Sequence, residues 1–207
     1  SISVAELAIA HMFGVNRFIY KSTTMMQAGK WPKKDFSHGR ELTGKTLGIL
    51  GFGNIGKEVA KRALGLQMNV IASDPYVLNT DLPVKLVSKE ELLQNSDIIT
   101  LHIPFIKAEG ATIAEKEFAM MKDGVILINC ARGGVVCEKS LLNALNSGKV
   151  SSAGIDVFAN EPTTEAQAEL IAHPNVSVTP HIGASTDEAQ ERVGEEIAQK
   201  IVDVLKK

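Results

Sequence analysis

Cysteine is scarce in this chain: Cys130 and Cys137 are the only two, too few for a disulfide framework or a metal-ligand set. No metal site is expected. Charge imbalance is also missing. With a net charge of −2 and no basic stripe, nothing in the composition draws the chain to nucleic acid. No apolar run approaches the length needed to cross a bilayer, so no membrane partner is expected. The opening Ser1-Ile-Ser-Val-Ala-Glu6 has neither an initiator Met nor a signal peptide and reads as trimmed, and the cysteine usage fits a reducing, cytoplasmic setting. What remains is 44% hydrophobic and 22% charged, an ordinary globular composition with a sizeable core over 207 residues.

One stretch organises that core. Thr46-Leu-Gly-Ile-Leu-Gly51-Phe-Gly53-Asn54-Ile55-Gly56 is a short apolar run ending in glycines spaced G-x-G-x-x-G, with a helical pattern following at once. Gly51 would permit a tight strand-to-helix turn, Gly53 would let a pyrophosphate approach the backbone, and Gly56 would let helix and strand pack closely. The phosphates would sit on the unpaired amides and positive dipole end of the helix. Glycine clusters also close ordinary turns. Asp74, at the end of the next apolar run and about twenty residues on, makes the reading specific.

The rest of the chain alternates. Ser3 and Glu6 suggest a capping box opening a helix through about Tyr20, apolar nearly all round and so buried on more than one side. An irregular arm follows with Trp31, the only tryptophan, as a candidate interface anchor. Short strands then end at Asp74, at His102-Ile103-Pro104, at Cys130-Ala131-Arg132, at Asp156 and at Thr179-Pro-His181. Further capping boxes are expected at Ser88/Glu91 and Ser185/Glu188, the second opening a last helix with Ala189, Val193, Ile197, Ile201 and Leu205 on one face. The pattern predicts an α/β fold: a Rossmann-like, doubly wound parallel sheet with helices on both faces, preceded by a long N-terminal helix.

In such sheets ligands bind beyond the carboxyl ends of the strands. That rule puts Gly51–Gly56, Asp74, His102, Arg132, Asp156, Glu161 and His181 on one edge. Asp74 would accept hydrogen bonds from adenosine ribose hydroxyls, and with Pro75 rather than a basic residue after it, NAD is favoured over NADP. A guanidinium fork at Arg132 suits a substrate carboxylate. His181 would give a proton to a carbonyl oxygen as hydride arrives, with the Glu161 carboxylate orienting the imidazole and favouring its protonated form. Singly, each has an ordinary alternative: a surface arginine, a structural histidine, an acidic loop residue. His11, His38 and His173 keep that ordinary reading, and Cys130 is expected to be a small packing residue near the nicotinamide.

Six segments carry a family resemblance: Gly51–Gly56, Ser73-Asp-Pro75, His102-Ile-Pro104, Asn129-Cys-Ala-Arg-Gly-Gly-Val-Val136, Gly154-Ile-Asp-Val-Phe-Ala-Asn-Glu-Pro162 and Thr179-Pro-His-Ile-Gly183. In that order they resemble the cofactor domain of the D-isomer-specific 2-hydroxyacid dehydrogenases, and Ala184-Ser-Thr-Asp-Glu-Ala-Gln190 looks most like the D-3-phosphoglycerate dehydrogenase branch. The resemblance implies catalytic roles for Arg132, Glu161 and His181. It implies NAD contacts at Asn54, Ile55, Asp74, Ile103, Cys130, Ala131, Arg132, Asp156 and the turn from His181 through Gly183 to Ala184. Cys137 departs from the pattern, standing where the family more usually has Asp.

The expected activity is hydride transfer between NAD and a small 2-hydroxy or 2-oxo acid, 3-phosphoglycerate first among them. The other readings are a different D-2-hydroxy acid (hydroxypyruvate, glyoxylate or lactate type), or a non-enzymatic NAD-sensing interaction module of the same fold. Residues 1–207 are expected to be one cofactor domain, with 1–44 an N-terminal helix and arm at an interdomain or homodimer face. The family's substrate domain and a C-terminal regulatory domain are both expected to be missing from this chain.

Overall fold

The computed structural model describes residues 1–205. Its centre is a seven-stranded sheet whose strands are β1 (Thr46–Leu50), β2 (Asn69–Ser73), β3 (Lys85–Leu86), β4 (Ile98–Leu101), β5 (Val125–Asn129), β6 (Val150–Ile155) and β7 (Val176–Val178). The order is β3-β2-β1-β4-β5-β6-β7 and every pairing is parallel. β4 and β5 are buried at every position, as strands covered on both faces must be. Their Val, Ile and Leu content suits a pleated interior, and each such side chain contributes about 2 kcal/mol by leaving water.

Helices close the two faces. One is covered by α1 (Ile2–Asn16) and α3 (Asn54–Gly65), whose Ala5, Ala8, Met12, Val59, Ala60 and Ala63 pack on Leu47, Ile49, Ile126 and Ile128. The other is covered by α4 (Lys89–Asn95), α5 (Glu115–Met120), α6 (Glu138–Asn146) and α7 (Glu165–Ala172), through Leu92, Phe118, Leu141 and Leu170. The doubly wound three-layer expectation holds. No single helix among the described residues is long and apolar enough to cross a membrane; α1 and the next helix pass that test only together, bent by 65°.

That bend corrects the sequence reading of one helix through Tyr20. α1 stops at Asn16, Phe18 takes a left-handed backbone (φ 56°), and α2 (Ile19–Gln27) starts afresh. The Phe18 ring turns to Phe36 of the arm, 5.5 Å between centroids. The Ser3/Glu6 box is not formed. The helix begins at Ile2, so Ser3 lies buried inside it, and Glu6 pairs with Arg62 of α3 at 2.8 Å. At α4 only half the box exists: Ser88 accepts the Glu91 amide, while the Glu91 carboxylate goes to Lys85. The last helix, α8 (Asp187–Leu205), is capped one residue later than expected, Thr186 accepting the Ala189 amide. α7 was not legible at all. It is short, with Leu170 and Ile171 as its only large apolar side chains, started by a Thr164–Gln167 exchange and held by Leu170.

On α8, Ala189 meets the domain, but Val193, Ile197 and Ile201 are about half exposed, and the side chain of Leu205 lies outside the described residues.

Candidate active site

β1 and β4 are neighbours although β2 and β3 intervene in sequence, so the chain reverses its winding between them. The crevice at that reversal is where ligands of doubly wound sheets bind. Gly51 turns the chain there with φ 94°, and a side chain on it would run into the His102 carbonyl from the end of β4. Such a conformation and approach exclude any other residue. Gly56 meets the Gly51 carbonyl just as closely. Gly53 differs: a Cβ there would meet nothing within 4 Å, so open space lies over the start of α3. No side chain caps α3 and no acid sits in its first turn. Its first amides and dipole therefore face that space unneutralised, which fits a phosphate group.

Asp74 closes the same end. One carboxylate oxygen accepts the Phe52 amide at 2.7 Å and the other the Tyr76 amide at 2.8 Å, while Pro75 and Tyr76 are exposed beside it. Ile103 packs against Gly51, and Pro104 is exposed at the β4 end. The His102 ring turns inward. Its Nε2 lies 2.9 Å from Thr100 Oγ1, and its Nδ1 is buried without a partner. Burial lowers this imidazole to about 4. Cys130 and Ala131 are buried behind the β5 end, and burial pushes the Cys130 thiol up, so it is no nucleophile.

Beyond β5, β6 and β7 lie the charged residues. Glu161 accepts the Phe158 amide through Oε1 at 2.9 Å and binds His181 Nδ1 through Oε2 at 2.5 Å. Partial burial alone would raise the Glu161 carboxyl. The Phe158 amide, the His181 imidazole and the nearby charge of Arg132 outweigh it, and the group is held below the ordinary value. Because a carboxylate only accepts, Nδ1 carries the hydrogen of this bond. The opposite nitrogen, Nε2, is left to meet a ligand. Arg132 is exposed, with Nη1 bonded to the Ala131 carbonyl at 2.6 Å and the remainder of its fork without a partner among the described residues. Next to Glu161 and His181 opens a cleft of about 540 Å³, lined by Phe158, Pro162, Ile171, Val178 and Thr179 as well.

Asp156 is buried beneath this turn. Its carboxylate accepts Thr179 Oγ1 at 2.6 Å and the amides of Ile182 and Gly183 at 2.8 and 2.9 Å, while its carbonyl accepts the His181 amide at 2.8 Å. Those bonds hold His181 at φ 55°, a backbone region that non-glycine residues occupy at a cost and mostly at functional sites. Ala184 is exposed just past it. The sequence reading missed Glu138, which accepts the Ala159 amide at 2.7 Å and steadies the Glu161 loop. It also passed over His11, which reaches Thr179 from α1. Neither has a sequence signal, because each acts through a contact distant along the chain.

A glycine turn and an acidic strand end at the crevice of a doubly wound sheet define a nucleotide-binding domain, with Arg132, Glu161 and His181 along the same edge. Residues 9–183 match the family described as D-isomer specific 2-hydroxyacid dehydrogenase, NAD binding domain, and the chain belongs to that family, with NAD as its cofactor. It is 51% identical over 204 residues to a hydroxypyruvate reductase of Thermotoga maritima, covering 98% of this chain and 66% of that protein. It is 46% identical over 209 residues to a D-3-phosphoglycerate dehydrogenase of Archaeoglobus fulgidus, covering 100% and 39%. Among solved structures, a D-lactate dehydrogenase of Aquifex aeolicus complexed with NAD and lactic acid superposes with a TM-score of 0.86 at 34% identity, over 99% of this chain and 66% of that one. The chain thus spans between about two fifths and two thirds of the length of these proteins.

Proposed function

We propose that this chain is the cofactor half of an NAD-dependent D-2-hydroxyacid dehydrogenase and that Arg132, Glu161 and His181 carry its chemistry. The observation that carries this reading is the 2.5 Å Glu161–His181 pair on the sheet edge that also bears the glycine turn. Asn54, Ile55 and Gly56 would hold the pyrophosphate, Asp74 the ribose, and Ile103, Pro104 and the Gly183–Ala184 turn the nicotinamide side. Asp156, Cys130 and His102 would shape that wall from behind, since their side chains are turned into the protein. Bound NAD supplies the acceptor for the hydride that leaves C2 of the hydroxy acid. Arg132 would bind the substrate carboxylate through its free N–H groups. His181 would take the hydroxyl proton at Nε2 during oxidation and return it during reduction, and Glu161 would keep the ring in the Nδ1–H orientation throughout.

As substrate we propose 3-phosphoglycerate, supported by the phosphoglycerate dehydrogenase relatives. The hydroxypyruvate reductase relative favours hydroxypyruvate as a second reading. A substrate panel on the full-length protein decides between them, with His181→Ala as control. Turnover unchanged in that variant would reject the assigned roles. A cytoplasmic homodimer is part of the proposal. Its support is the apolar surface on the N-terminal side, where Trp31 is 78% exposed and Ile19 52% exposed.

A further inference from the structure

Gly154 of β6 lies under α1, and a Cβ there would come within 2.6 Å of the His11 Cβ. The missing side chain lets α1 settle onto the sheet with His11 buried at 4% exposure. The imidazole then lies between two β7-side hydroxyls. Nδ1 is 3.1 Å from Ser177 Oγ, and Nε2 is 3.0 Å from Thr179 Oγ1. Thr179 Oγ1 is in turn 2.6 Å from the Asp156 carboxylate.

The hydrogens in this chain can be counted. A hydroxyl has one to give, and the Asp156 carboxylate only accepts. Thr179 therefore donates to Asp156, and its oxygen must accept from His11 Nε2–H. That leaves Nδ1 of a neutral ring as the acceptor for Ser177. Burial works in the same direction, since it favours the neutral imidazole more than the Asp156 charge favours the protonated one. We propose that His11, as the neutral Nε2–H tautomer, is a positioning residue: through Thr179 it sets the Asp156 carboxylate that holds the amides of Ile182 and Gly183, and so the turn that presents His181. Its functional meaning rests on the reading of His181 as proton carrier and of the Gly183–Ala184 turn as an NAD contact. Cutting the chain removes one of the three bonds that orient the Asp156 carboxylate, and so loosens its hold on the Ile182 and Gly183 amides that follow His181.

The test uses histidine-labelled chain and imidazole nitrogen NMR, with His11→Leu, Thr179→Val and His11→Gln as variants. The wild-type His11 ring is expected to show one pyrrole-type nitrogen, at Nε2, near pH 7. A doubly protonated ring or the Nδ1–H tautomer overturns the proposal. His11→Leu and Thr179→Val should each shift the Ile182 and Gly183 amide resonances and weaken NAD by roughly tenfold, the factor for losing one hydrogen bond. Their effects should not add in the double variant, because both cut the same link. His11→Gln, which keeps an N–H donor and a carbonyl acceptor, should restore both readouts. Additive losses refute it, and so do amides unmoved in Thr179→Val, a result that stands even if His11→Leu fails to fold. Full turnover by His181→Ala in the full-length protein would remove the proton-carrier reading while leaving the His11 tautomer and amide results standing.

Discussion

Asp74 and Phe52 are joined by a hydrogen bond of 2.7 Å from the Phe52 amide to the Asp74 carboxylate, so the residue proposed to meet ribose also braces the glycine turn. Asp74→Ala removes both functions and is expected to weaken NAD at least tenfold in calorimetric titration, one hydrogen bond to a charged group being worth about 1.5–3 kcal/mol. Asp74→Asn keeps an acceptor for Phe52 but loses the charge. It should bring NADP within a few-fold of NAD, and an unchanged preference for NAD would remove Asp74 as the source of selectivity.

Gly51 and Gly53 should separate folding from binding. Gly51→Ala meets a left-handed backbone and the His102 carbonyl at once, and a loss of about 2–4 kcal/mol is expected in urea unfolding. Gly53→Ala points into open space at φ −74°, so stability should change by less than about 0.5 kcal/mol while NAD binding falls. Equal destabilisation of the two variants would contradict the geometry.

Glu161→Gln keeps the shape of the Glu161–His181 pair but lets the imidazole choose either tautomer. In the full-length protein kcat is expected to drop by roughly 10²-fold, and His181→Ala by about 10²- to 10⁴-fold, the usual span for a positioned acid–base group. Steady-state assays in both directions check this. A Glu161→Gln enzyme with wild-type kcat would show that the pair is structural.

His102 should shape the acid limb of stability. Burial takes its imidazole from the ordinary 6.5 to about 4. Above pH 6.5 folded and unfolded chains both hold it neutral and it contributes no pH dependence. As pH falls from 6.5 toward 4 the unfolded chain takes up a proton that the folded one refuses, so stability is lost across that window, by up to about 3 kcal/mol. Urea midpoints at pH 4 to 7 should decline less steeply in His102→Gln. Parallel slopes would rule out His102 as the source.

Self-association should run through the N-terminal surface. Sedimentation at micromolar concentration is expected to show a dimer that Trp31→Ala with Ile19→Lys converts to monomer. A wild-type monomer, or a dimer untouched by those changes, would count against that face.

Periodicity and glycine spacing carry far in this chain. Buried β4 and β5, the α3 start at Asn54 and the strand ends at Asp74, Asp156 and His181 were legible because each is a local matter of apolar runs and turn residues. Where local signals misled, a competing partner had won. Glu6 and Glu91 leave their expected caps for Arg62 and Lys85, and Phe18 breaks its helix to reach Phe36. α7 is a short helix whose apolar residues are mostly alanine, so it carries no strong helical periodicity.

The sequence by itself determined a doubly wound parallel sheet and put Gly51–Gly56, Asp74, Arg132, Glu161 and His181 on one edge, because strand-end position depends only on chain order. Tertiary structure alone decided what holds them. The Asp74–Phe52 bond, the Asp156 carboxylate under the His181 turn and the reach of His11 from α1 to Thr179 join residues 22 to 168 positions apart, and only the packing of helix on sheet brings such pairs within hydrogen-bond distance.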